Sequence, residues 1–272
     1  MGLANISDGK FLEAFETLTA FWADKFGPLP ALLSGMVGAS TGWKEAKYCS
    51  LPTDIGDLAK NLQLVPVNKP IWIVPGVMCR DDSNVPDVIR GEEIQAISAC
   101  TANEEQLIVL PGTHSKWLQM ENRQINWFRT FMTGDLYSSV LAHTIISQLY
   151  VAEDDTFWEA FSLGVKTGYS QQNALLHLIF GARTKVLFKD LEPREVPDYL
   201  SGLLIGTEIA DAISTIDSLP TEIKLIGNER LCDRYRKALK TCGLDSKPVS
   251  ESKIGAAYVE IAERAGILKV CK

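Results

Sequence analysis

The stretch "LPGTHSKW", residues 110–117, gathers Gly112, Thr113, His114, Ser115 and Lys116 into one turn between two apolar segments. A turn that only reverses the chain needs a glycine, a proline or an asparagine. Two hydroxyls, an imidazole and an ammonium exceed that need. Gly112 would let backbone amides approach a ligand, and Thr113, Ser115 and Lys116 could donate to phosphate oxygens. The turn therefore suits a phosphate cradle, with a polar surface hairpin as the alternative. His114 alone carries little weight, since a lone histidine is more often a structural donor.

A second group is "RGEE", residues 90–93, which places Arg90, Glu92 and Glu93 at a helix start. Acidic side chains are favoured there by the helix dipole alone. The catalytic reading has one carboxylate taking a proton from a substrate hydroxyl while Arg90 holds an anionic group, with Asp87 a weaker third candidate. "SGMVGASTGWKEAKY" sets three glycines, Ser40, Thr41, Trp43 and Lys44 after a strand end, where open α/β sheets bind ligands, or else forms a connecting loop. In "SGLLIGTEIA", Gly202 and Gly206 lie four apart, the spacing of close helix packing. "LIGNERLCDRY" gives a strand, a turn at Gly227 and a helix N-terminus, which suits ribose or phosphate but also occurs in ordinary βα units. No Gly-x-Gly-x-x-Gly fingerprint is present, and no cluster has metal-ligand spacing. The metal ligands stay unknown, and any metal would arrive with a nucleotide.

These groups need elements to hold them. With 272 residues, 46% of them hydrophobic, the chain can build two ordinary domains or one large one. A net charge of -7 without a basic block argues against nucleic acid and membrane partners and for small-molecule chemistry. The six cysteines form no Cys-x-x-Cys pair, the N-terminus lacks a signal-peptide pattern, and no long apolar run occurs, so a cytoplasmic protein is expected.

Residues 11–22 carry apolar side chains at helical spacing and the segment ends at Gly27. "ALLSGMVGAS" and "IWIVPGVM" predict strands, the latter cut short at Pro75 and Gly76, and "DVIRGEEIQAISACTA" predicts a helix. Alternating strands and helices favour α/β. The polar segment "CTANEEQ" predicts a boundary near 104, giving domains 1–104 and 105–272. The second begins with a three-strand meander over 105–134, then a helix from Asp135 to about Gln148, a helical middle, and a strand, helix, strand, helix ending. The halves look like duplicates, with the meander lacking from the first.

Taken in order, "SGMVGASTGW", "IWIVPGV", "DVIRGEE", "LPGTHSKW", "FRTFMTGDL", "SGLLIGTE" and "LIG…L…RY" (from "LIGNERLCDRY") resemble the 2-dehydro-3-deoxygalactonokinase family, within the sugar-kinase and actin-like ATPase superfamily. The resemblance runs over nearly the whole chain. It implies a two-domain actin-like (ribonuclease H-like) fold with an interdomain cleft, and ATP- and Mg2+-dependent phosphorylation of 2-dehydro-3-deoxy-D-galactonate at its 6-hydroxyl in galactonate catabolism. Position by position, Gly112, Thr113, Ser115 and Lys116 would surround the transferring phosphates, with His114 among them. Glu93, then Glu92, would be the proton acceptor at the cleft. Gly227 would flank the adenosine, and Gly38, Trp43 and Arg90 would line the sugar-acid side. The expected partners are this sugar acid and ATP, with a homo-oligomer left open.

The family opens with a strand, an Asp-x-Gly-Ser/Thr turn and two further strands, and "MGLANISDGK" begins about where that hairpin should have ended. An incomplete N-terminal domain and weak or absent kinase activity are therefore expected. The alternatives are a non-catalytic sugar-acid or nucleotide binder and a kinase of a related 2-keto-3-deoxy sugar acid.

Overall fold

In a computed structural model the chain is described at all residues except 1–5, 7, 8, 102, 103, 152, 154, 217 and 269–272, and the side chain of Glu251. The fold is α/β and forms two compact units. The first comprises residues 1–104, 120–128 and 251–272, and the second residues 105–119 and 129–250. The expected C-terminal domain 105–272 thus cedes a hairpin tip and the last helix to the first unit. Among the described residues, no helix is long and apolar enough to cross a membrane.

The first unit starts with α1 (Phe11–Phe26), which stops at Gly27 with φ 75°. It continues through β1 (Ala31–Leu33), a 3-10 turn Gly35–Gly38, β2 (Tyr48–Ser50), α2 (Ile55–Lys60) and β3 (Gln63–Leu64). Then come β4 (Ile71–Ile73), β5 (Gly76–Arg80), β6 (Pro86–Ile89) and α3 (Glu92–Ala99). Asp54 and Asp57 form a reciprocal capping box that starts α2. The strands make two mixed sheets, ordered β1-β4-β3 and β2-β5-β6.

"IWIVPGVM" is therefore not one strand. It supplies β4 to the first sheet and β5 to the second, with Val74 and Pro75 as the crossing, and Pro75 has no N–H to extend a ladder. Likewise "DVI" is the end of β6, so α3 starts only at Glu92. β1 pairs with β4 and is an edge strand among the described residues. No residue of α1 is fully buried, and Leu18, Phe21, Trp22 and Phe26 stand exposed.

The second unit is built on one five-stranded sheet ordered β11-β10-β7-β8-β9, from β7 (Glu105–Leu110), β8 (Ser115–Glu121), β9 (Gln124–Phe131), β10 (Ile223–Leu225) and β11 (Ser246–Pro248). β10 runs parallel to both β7 and β11. β8 and β9 are joined by Asn122 and Arg123, both at positive φ (52° and 64°), as a two-residue hairpin turn requires.

Its helices are α4 (Thr133–His143), α5 (Trp158–Ser170), α6 (Leu175–Leu187), α7 (Val196–Ser214) and α8 (Glu229–Thr241). α4 begins two residues earlier than expected and ends at His143, because Thr144 caps the 3-10 turn Ile145–Gln148 with its hydroxyl accepting from the Ile146 N–H. The chain closes with α9 (Ile254–Arg264), which packs on α2 and α3 in the first unit.

Backbones touch where α5 crosses α7. A Cβ on Gly164 would sit 2.1 Å from the Tyr199 carbonyl oxygen, and one on Gly202 would sit 2.0 Å from that of Phe161. Gly168 and Gly206 are equally tight. The close packing expected of Gly202 and Gly206 is present, and "SLGVKTGY" supplies its partner.

Candidate functional site

The second unit holds a cleft of about 450 Å³. Gly112 and Thr113 form one wall, Thr133, Gly134, Tyr137 and Ser138 of α4 another, and α7 gives Ser201, Leu204 and Ile205. Asn228, Arg230, Leu231, Arg234 and Tyr235, at the start of α8, complete it. Two helix N-termini and a glycine turn thus face one space, an arrangement that favours anions.

The turn and α4 are seated directly on each other. The Asp135 N–H donates to the Thr113 carbonyl at 3.0 Å, and a Cβ on Gly134 would lie 2.7 Å from the Gly112 oxygen. Only a glycine fits there. Gly227, at φ 148°, turns the chain from β10 into α8, where the Asn228 side chain accepts from the Arg230 N–H. On the same side Arg234 pairs with Asp198, packs near the Trp158 and Phe161 rings, and keeps its buried Nη1 without a hydrogen-bond partner.

The remaining members of the polar turn do not line the cleft. His114 is exposed, 3.6 Å from the Asp135 carboxylate. Lys116 is buried, and its Nζ donates to the His114 carbonyl at 2.6 Å. Ser115 is fully buried behind the turn.

The first unit gathers Gly38, Tyr48, Arg90, Glu92 and Glu93. The Arg90 guanidinium lies 4.3 Å over the Tyr48 ring and donates through Nη2 to the Ala46 carbonyl at 2.8 Å. Its Nε and Nη1 are buried with no hydrogen-bond partner. Gly38 makes room for it, since a Cβ there would fall 2.7 Å from Nη1.

Both carboxylates fold back on the chain before α3: Glu92 accepts from the Arg90 N–H at 2.9 Å and Glu93 from the Gly91 N–H at 2.6 Å. Glu93 is fully buried, and its other oxygen has no partner. Burial pushes its carboxyl up from 4.5 to about 7; its own and the Gly91 backbone N–H groups pull it down, Glu92 raises it and Arg90 lowers it. Trp43 instead stacks on Phe11 at 6.1 Å and meets Phe15 at 5.9 Å, so its ring packs against α1.

Tyr48, Glu208, Arg234 and Tyr235 lie within stretches singled out in the sequence, yet none of the four was named there as a site residue. Nor was Tyr258, whose hydroxyl reaches from α9 to Ser34 beside the glycine turn. Among the described residues, no group of three or more His, Cys, Asp or Glu side chains is placed to hold a metal ion. A nucleotide fits the second-unit cleft by its donors: two helix N-termini, an open glycine turn and the unpartnered Arg234 Nη1.

The chain is 35% identical over 233 residues to 2-dehydro-3-deoxygalactonokinase of Escherichia coli (strain K12), covering 86% of this chain and 77% of that protein. It is 36% identical over 243 residues to a Rhizobium meliloti (strain 1021) protein provisionally given the same name, covering 87% and 78%. A crystal structure from Sinorhizobium meliloti, again provisionally so named, superposes with a TM-score of 0.85 at 34% identity, over 94% of this chain and 85% of that one. The 2-keto-3-deoxy-galactonokinase family model matches residues 1–260, and the chain belongs to that family.

Proposed function

We propose that this protein transfers the γ-phosphoryl group of ATP to the 6-hydroxyl of 2-dehydro-3-deoxy-D-galactonate. The observation that carries the sugar-acid half is Arg90, a buried guanidinium stacked on Tyr48 with two donors unpartnered. Unmatched buried donors are costly, and a planar fork is the natural partner of a carboxylate, so the substrate's carboxylate is the missing acceptor. A neutral sugar would leave those donors unmatched.

Glu93 takes the proton from the 6-hydroxyl. Its buried, partnerless oxygen is the free acceptor, and a carboxyl raised to about 7 is matched to proton abstraction near neutral pH. Glu92 is the second choice, because its hydrogen bond to the Arg90 N–H holds the loop that aims the guanidinium. Gly38 keeps the space that Arg90 occupies.

In the second unit, Gly112, Thr113 and the first turn of α4 hold the phosphates through backbone N–H groups. Arg230, Arg234 and Asn228 take the nucleoside side, with Gly227 setting the entry into α8. ATP supplies the phosphoryl group, and Mg2+ bound to its phosphates neutralises charge; phosphoryl transfer otherwise asks for positioning, which this cleft provides. Lys116 and Ser115 support the turn from behind. Among the described residues, Cys49, Cys79, Cys100, Cys232 and Cys242 form no disulfide.

Titration calorimetry with 2-dehydro-3-deoxygalactonate and its gluconate epimer, each with and without Mg·ATP, tests this reading. Heat from the galactonate compound and from Mg·ATP is expected. Tighter binding of the epimer would move the assignment to a related sugar acid, and silence from both sugar acids would refute the Arg90 site.

A further inference from the structure

Under the cleft lies a carboxylate that the proposed chemistry leaves unused. Glu208, on α7, is 3% exposed. Trp117 Nε1 of β8 donates to its Oε1 at 2.7 Å, Tyr235 Oη of α8 donates to its Oε2 at 2.7 Å, and the Thr133 hydroxyl, at the first residue of α4, donates to Oε2 as well. One side chain therefore collects donors from three other elements, two of which wall the cleft.

We propose that Glu208 is a positioning residue for phosphoryl transfer: it fastens the first turn of α4 to β8 and fixes which way the cleft's hydroxyls point. The role rests on the reading of this cleft as the nucleotide site.

Two lines of geometry support it. First, α4 and the phosphate turn share a contact with no slack, the Gly134–Gly112 approach and the Asp135–Thr113 hydrogen bond. Whatever moves Thr133 moves one wall of the cradle against the other. Glu208 holds Thr133 from below and, through Trp117, holds the strand that continues from the turn.

Second, the indole N–H can only donate, so Oε1 is always an acceptor. With the carboxylate ionised, Thr133 and Tyr235 both direct their hydrogens at Oε2 and present lone pairs to the cleft. Those oxygens then accept, which suits ribose hydroxyls or bound water and not bare phosphate oxygens. Burial pushes the Glu208 carboxyl up from its usual range, and hydrogen bonds from Thr133, Trp117 and Tyr235 pull it back. A hydrocarbon side chain of the same volume would fill the space but could not orient any of these donors.

Glu208→Gln tests the claim because it keeps the volume. Its amide oxygen can serve Trp117, but its NH2 then faces Thr133 and Tyr235 and forces both hydroxyls to accept. The expected result is a near-native unfolding temperature, Mg·ADP binding weakened about tenfold or more, kcat lowered roughly 10- to 100-fold, and a sugar-acid KM within about twofold of wild type. Tyr235→Phe should shift the same nucleotide parameters less, and the double variant should be no worse than Glu208→Gln alone.

Wild-type affinity for Mg·ADP and wild-type kcat in Glu208→Gln would overturn the proposal. So would a loss of activity matched by an equal loss of sugar-acid binding sites, since that marks a merely structural role. If Glu208→Gln does not fold, Thr133→Val and Tyr235→Phe decide, and unchanged nucleotide binding in both counts against it. Absence of Mg·ADP heat from the wild-type protein would overturn the nucleotide reading itself, and this role with it.

Discussion

Changing Arg90 should alter the response to one substrate and leave the other alone. Lysine keeps the charge but loses Nε and the planar fork, so Arg90→Lys should raise the sugar-acid KM by about 10- to 100-fold with the ATP KM unchanged, as steady-state kinetics would show. Gly38→Ala should do the same more mildly, because its Cβ would crowd Nη1 from 2.7 Å. Glu93 makes two predictions with opposite pH signs. As a base that must be ionised, it should make kcat/KM rise with pH through about 7, and Glu93→Gln should lose roughly 10²- to 10⁴-fold and flatten that limb.

For stability the dependence reverses. A carboxyl whose pKa rises on folding, from 4.5 to about 7, favours the folded state fully below 4.5, and that contribution is lost as pH climbs through 7. The wild type should therefore fall behind Glu93→Gln in thermal unfolding between pH 5 and pH 8, by on the order of 3 kcal/mol. Equal shifts in the two proteins would contradict the buried, proton-binding Glu93. Arg90 and the two glutamates were visible in the sequence as "RGEE". The partnerless atoms that give them meaning were not, because these depend on Tyr48, Ala46 and Gly38, from 42 to 52 positions away.

Elements set the tolerances of the site. α7 carries Ser201, Leu204 and Ile205 in the cleft and is held against α5 by four glycines with no room for a Cβ. Gly202→Ala should destabilise by about 2 kcal/mol or more, measurable as a lowered denaturant midpoint, because the obstacle is backbone and cannot rotate away. Gly134→Ala attacks function more than stability. Its Cβ would push α4 off the phosphate turn, and nucleotide affinity should fall about tenfold or more in calorimetry while the sugar acid still binds.

The Gly202/Gly206 spacing was legible because a four-residue repeat of glycine is a local signal. Gly134 was hidden at a helix start, where glycine is unremarkable until the turn that it touches is known. The division of "IWIVPGVM" between two sheets was equally hidden, since both pieces are apolar and only Pro75 marks the crossing.

For the whole molecule, local periodicity reached the α/β class, most helices and the meander. It did not reach the long-range assembly. Trp117 and Thr133 meet Glu208 across 91 and 75 positions, and α9 joins the first unit from the far end of the chain. Sequence patterns report spacing along one element, while such contacts are decided by packing among many. On the proposed reading the two units also divide the chemistry, donors for a carboxylate in one and helix N-termini with a glycine turn in the other. Substitutions in each should therefore register on separate ligands.

The most direct measurement is phosphorus NMR of purified protein with Mg·ATP and 2-dehydro-3-deoxygalactonate. A phosphomonoester on the 6-hydroxyl and stoichiometric ADP are expected. ADP accompanied only by inorganic phosphate, or both substrates bound with no phosphate transferred, would contradict the proposed transfer.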